Sequence, residues 1–112
     1  MGAATYDLHM DQGSSFTMEF QFTLDGSPLD LTNYLVRAQM RTHKKSSEVA
    51  ANFVCSVVDA TLGKISIAIS QADREALLAS EYLYDIEIYL ADESVVQRML
   101  QGKVFVDEGV TR

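Results

Sequence analysis

Apolar and polar residues alternate in short runs along most of this chain, with the period of two expected of strands that have one buried and one wet face. The clearest run sets Phe16, Met18, Phe20, Phe22 and Leu24 against Thr17, Glu19, Gln21 and Thr23. Ahead of it, Tyr6, Leu8 and Met10 alternate with Asp7, His9 and Asp11, and Asp11-Gln12-Gly13-Ser14 supplies turn chemistry between the two runs. Asp25-Gly26-Ser27-Pro28 predicts a sharp reversal, because Asp-Gly suits a tight turn and proline has no N–H to give a ladder. Residues 29–34 then read as a short irregular crossing whose polar side chains bond local backbone.

Val36, Ala38 and Met40 alternate with Arg37, Gln39 and Arg41, which predicts a strand with a basic outer face. Residues 43–50 read as a polar loop leading into a strand over 52–58, whose inward face the pattern leaves open between Phe53 and Val54. After a turn at 59–63, Ile65, Ile67 and Ile69 mark a half-buried strand rich in β-branched residues. The one predicted helix starts at Ser70, with Asp73 in capping-box spacing, and runs through Ala72, Ala76, Leu77 and Leu78 before Ser80. At about two turns it must dock on the sheets to persist. Two closing strands follow. One covers 82–90, with Tyr84, Ile86, Ile88 and Leu90 inward; the other covers 95–106 and breaks near Gly102. Asp92-Glu93-Ser94 joins them at hairpin length.

About seven short strands and one helix predict an all-β, immunoglobulin-like antiparallel β-sandwich. The expected organisation is a single domain over 1–112, with a core over about 5–106 and terminal arms at 1–4 and 107–112.

Composition narrows the function more than it changes the fold. A chain of 112 residues can bury one ordinary core unaided. The longest uncharged stretch, 49–58, is too short to span a bilayer, and no secretory leader pattern is present. The single cysteine, Cys55, lies in an apolar run and reads as a small buried hydrophobe. Sixteen acidic against nine basic residues argue against a general nucleic-acid binder, which draws its affinity from neutralised phosphates. Arg41, His43, Lys44 and Lys45 form the one basic cluster; it reads as a solvated loop or as a salt-bridging patch for an acidic partner.

Candidate chemistry is sparse. Only His9 and His43 could act as imidazole bases, and neither stands near a motif that would orient it. Asp7, His9 and Asp11 share strand spacing, and Glu81, Asp85, Glu87, Asp92 and Glu93 crowd one region, but a solvated strand face produces the same patterns and no calcium-loop spacing occurs. No phosphate-cradling glycine motif is present. The expectation is no catalytic, metal or cofactor site, no small-molecule substrate and no membrane contact. Tyr89 and Phe105 fall opposite the inward residues of their strands, with Met99 beside them, and tyrosine, phenylalanine and methionine are types that interfaces favour. With the basic residues they give the candidate partner contacts Arg37, Arg41, Lys44, Lys45, Tyr89, Met99 and Phe105.

Four pieces in order carry a family resemblance: Tyr6-Asp7-Leu8-His9-Met10-Asp11-Gln12-Gly13-Ser14-Ser15-Phe16; Gly26-Ser27-Pro28-Leu29-Asp30-Leu31-Thr32-Asn33-Tyr34; Tyr82-Leu83-Tyr84-Asp85-Ile86-Glu87-Ile88; and Arg98-Met99-Leu100-Gln101-Gly102-Lys103-Val104-Phe105-Val106. Together these resemble small β-sandwich virion proteins of tailed bacteriophages and prophages, similar to the N-terminal domain of baseplate upper proteins. The resemblance implies a non-enzymatic structural component of a phage particle, in the tail, baseplate or neck, assembled in the host cytoplasm and contacting other phage structural proteins in many copies. Capsid decoration is the alternative within that class, and a carbohydrate- or receptor-binding module the alternative outside it. Family members often continue into a receptor-binding part, so an end at Arg112 favours a stand-alone adaptor, cement or decoration protein.

Overall fold

Ten strands and one helix follow one another in the computed structural model, which describes residues 3–42 and 49–108. They are β1 (Ala4–Thr5), β2 (Leu8–Asp11), β3 (Thr17–Gln21), β4 (Thr23–Leu24), β5 (Ser27–Pro28), β6 (Tyr34–Arg41), β7 (Ala51–Asp59), β8 (Lys64–Ile69), α1 (Gln71–Ala76), β9 (Ser80–Leu90) and β10 (Val96–Asp107). The chain is therefore all-β with one short helix. Most of the loop expected over 43–50, with His43, Lys44 and Lys45, lies outside the described residues.

Eight strands form one curled sheet in the order β1-β10-β9-β6-β7-β8-β3, with β2 also paired to β10. It is mixed rather than purely antiparallel, because β1 and β2 both run parallel to β10. The curl has a definite hinge line. β7 pairs with β6 only at Ala51 and Asn52, and from Phe53 onward it pairs with β8 alone. The sheet thus folds into a half built on β10, β9 and β6 and a half built on β7, β8 and β3. Their inner faces meet where the Phe53 ring lies edge-on to Tyr84, with centroids 6.3 Å apart.

Alternation accounts for the core. Ile65, Ile67 and Ile69 from β8, Tyr82, Tyr84, Ile86 and Ile88 from β9, Ala38 and Met40 from β6, and Leu8 and Met10 from β2 are all buried. The face left open in β7 resolves to Ala51, Phe53, Cys55 and Val57 inward, while Val54 and Val58 point out at 59% and 51% exposure.

Five local expectations change. The run from Phe16 does not continue as one strand to Leu24. At Phe22 the backbone bonds both Gly63 and Leu29, so the chain leaves the sheet and forms the separate β4–β5 ribbon around Asp25-Gly26, with Leu24 exposed. Tyr6 does not join Leu8 and Met10 inside; it bridges β1 and β2 and is 47% exposed. The helix starts where the cap predicted, with Ser70 Oγ accepting from Asp73 N at 3.2 Å, but it stops at Ala76. Leu77 is extended and buried, whereas Leu78 is exposed, so burying one leucine ends the helix. β10 does not break at Gly102, which pairs with Tyr84; the irregularity is a bulge between Arg98 and Leu100. Gly102 is there because a methyl group at that position would overlap the Tyr6 carbonyl. Ala4 and Asp107, assigned to the arms by pattern, belong to strands.

Candidate protein-interaction face

The outer face of β6, β9 and β10 is organised in cross-strand rows. Leu35, Tyr89 and Val96 stand directly beside one another in register, and the next row is Arg37, Glu87 and Arg98. Leu35 and Val96 are 46% and 43% exposed, and Val95 adjoins them. Leu35 and Val96 thus flank the half-buried Tyr89 with exposed apolar side chains on a strand face where polar residues are expected.

Arg37 covers Tyr89, its guanidinium carbon 4.4 Å from the ring centroid. Two carboxylates hold it there: Nε donates to Glu87 at 2.9 Å and Nη1 to Glu93 at 3.0 Å. These hydrogen bonds, with Glu87 first, raise the Arg37 pKa further above its ordinary value. Glu93 is aimed by the β9–β10 turn, in which its own N–H donates to Leu90 O and Asp92 Oδ1 accepts from both Ser94 N and Ser94 Oγ. The Ser94 bonds hold the Asp92 carboxyl below its usual range. Each exposed pair contributes about 1 kcal/mol or less to stability. Their consequence is positional, since the arginine is ordered before anything docks.

Further along the same face lie Gln39, Asp85 and Gln101, then Arg41, Leu83 and Lys103. Here the curled sheet forms an open concavity of about 720 Å³ bordered also by Thr5 and Asp7. Arg98 Nε sits 3.2 Å from Asp85 Oδ2, and Lys103 Nζ 3.0 Å from Glu81 Oε1. Partial burial, then repulsion from Glu87, raises the Asp85 pKa, and Arg98 and Arg41 oppose the shift. The floor is thus a mosaic of paired charges. It suits a polar macromolecular surface better than a small ligand, which needs an enclosed and mostly apolar site.

The candidate contacts divide. Arg37 and Tyr89 form one unit, with Arg41 four residues along β6 on the same face. Phe105 lies on that face but pairs with Glu81, about 26 Å along β9 from Tyr89 at strand rise, where it stacks on His9 with centroids 5.1 Å apart. Met99 is not a surface contact. As the extra residue of the bulge it turns inward beside Leu100 and is only 9% exposed. Lys44 and Lys45 lie outside the described residues. Leu35 and Val96 were missed, although Leu35 was legible: it precedes an inward Val36 and must therefore face out.

Other groups are taken up structurally. Asp7 Oδ1 accepts from Lys103 N at 2.9 Å, and His9 rests on Phe105. Cys55 is half-buried, its thiol 3.6 Å from Phe53 O, and burial pushes its pKa up to about 11. Among the described residues no three His, Cys, Asp or Glu side chains are grouped to hold a metal, and no helix is long and apolar enough to cross a membrane. No family model matches the chain, and no curated protein matches it significantly.

Proposed function

We propose that the chain is a non-enzymatic structural component of a tailed bacteriophage particle, serving as an assembly or adaptor protein of the tail, baseplate or neck. The observation that carries the binding role is the in-register row Leu35, Tyr89 and Val96 beside a pre-ordered Arg37. Tyrosine and arginine are the residue types that dominate binding energy at interfaces, and pre-ordering lowers the entropy lost on docking.

The assignment to a particle rests on the four ordered sequence pieces, whose residues hold positions of consequence in the fold. Asn33 adopts φ 71°, in the left-handed region, where the family pattern has glycine or asparagine. Asp30 Oδ1 accepts from Thr32 N at 2.9 Å, Leu31 is buried, Met99 forms the bulge and Gly102 admits the Tyr6 carbonyl. We also read the two curled halves as an immunoglobulin-like sandwich, supported by the Phe53 and Tyr84 rings meeting between them. In this reading the partners are other phage structural proteins in many copies, with the protein located in the virion. Mass spectrometry of purified particles tests the proposal: the chain in stoichiometric amounts supports it, and its absence from intact particles refutes it.

A further inference from the structure

The N-terminal edge of the sheet is a strap laid over a slot that fits it. β1 and β2 pair with β10 alone and form one edge of the sheet; β3, the next strand in the chain, is the opposite edge. The strap can therefore lift away without breaking any other strand pairing. The slot it occupies is specific. Gly102 leaves room for the Tyr6 carbonyl, which accepts a hydrogen bond from the Tyr84 hydroxyl. Tyr6 N donates to Gln101 O at 2.9 Å, Lys103 N donates to Asp7 Oδ1 at 2.9 Å, and Leu8 and Met10 fill the core beneath.

The connection to the rest of the chain is thin by comparison. Gly13, Ser14 and Ser15 are exposed, and nothing lies within 4 Å of the position a side chain would take at Gly13. Straightening these residues breaks the hydrogen bond from Ser14 N to Asp11 O, while the Gln12 bonds to Asp107 O and Leu77 O belong to the strap and its slot. All the specificity is in the slot and almost none in the hinge. That is the arrangement in which an identical strap from another molecule fits equally well.

We propose that residues 4–12 exchange between copies, the strap of one molecule seating parallel to β10 of the next. The occupant of the slot is a second copy of this chain. Each seated strap makes the same contacts as within one molecule, so local concentration decides between the two arrangements, and crowding of copies favours exchange. Reciprocal exchange closes a twofold dimer, and one-way exchange links copies into a row. This inference stands on the slot and hinge alone, independently of the Leu35, Tyr89 and Val96 face.

Thr5 and Gln101 are direct partners across the parallel pair and give the test. Full-length Thr5→Cys and Gln101→Cys proteins, each in a Cys55→Ser background, are mixed at high concentration, partly unfolded and refolded together in a glutathione redox buffer. Adjacent Cα atoms of paired strands lie within disulfide reach. The expected result is a covalent dimer joining the two variants, well above the homodimers each yields alone. Failure of that heterodimer to form, when circular dichroism shows both variants folded, overturns the proposal. A second measurement removes dependence on the cysteines: deleting Ser14 and Ser15 shortens the hinge, and sedimentation should then report twice the chain mass for reciprocal exchange or a higher multiple for a row. A folded, monomeric deletion variant is equally contrary.

Discussion

Arg37 lies over the ring of Tyr89 while Glu87 and Glu93 grip its guanidinium from the strand and the turn, so an exposed arginine is held in one place by three neighbours. The contact spans three elements and uses no core residue. Tyr89→Ala should therefore cost the isolated protein about 1 kcal/mol or less. Met99→Ala, in the buried bulge, should cost about 2 to 4 kcal/mol. Urea denaturation of the two variants checks this contrast between surface and core.

Tyr84 and Gly102 hold the Tyr6 carbonyl from two sides. Tyr84→Phe removes one hydrogen bond and should destabilise by about 1 kcal/mol. Gly102→Ala places a methyl group against a backbone atom and should cost about 1 to 3 kcal/mol. If the strap is the part disturbed, hydrogen exchange should accelerate first at residues 4–11 in both variants.

Asp85 carries a folded-state pKa above its ordinary value of 3.8, with burial as the leading cause. A carboxylate whose pKa is raised by folding binds its proton more tightly in the native state. Its contribution to stability therefore falls as pH climbs from the unfolded value through the folded one, and recovers on acidification. Asp85→Asn should accordingly gain on the native protein as pH rises through this window, and the difference should shrink below pH 3.8. Urea midpoints measured from pH 3 to pH 7 give the comparison; a widening loss for Asp85→Asn with rising pH would contradict it.

Burial of Cys55 raises its pKa to about 11, from an ordinary 9.0. The thiolate fraction near neutral pH is then about 100-fold lower than for a free thiol. Iodoacetamide should alkylate the folded protein slower by about that factor, with normal reactivity returning in urea.

The strands over 36–41, 65–69 and 82–90 were legible because each has one buried and one wet face, so a simple period of two carries the register. The capped start of the helix at Ser70 was legible for a similarly local reason. What escaped depended on distant residues. Nothing near Gly102 announces that Tyr6 will press on it, so glycine read as a break rather than as a close approach. Nothing near Met99 announces a bulge, and one extra residue inverts the face on which it falls. The sheet halves separate at Phe53 because β7 changes partners there, a choice made by β6 and β8. Of the candidate face, Arg37 and Tyr89 were legible singly, while their apposition, and the row with Leu35 and Val96, required the pairing of β6, β9 and β10.

Electron cryo-microscopy of the purified parent particle tests the central claim most directly. The account predicts copies of this chain in repeated positions, with Leu35, Tyr89 and Val96 buried against a neighbouring protein and Arg37 within hydrogen-bond reach of it. A particle without the chain, or one whose copies leave that row facing solvent, would contradict it.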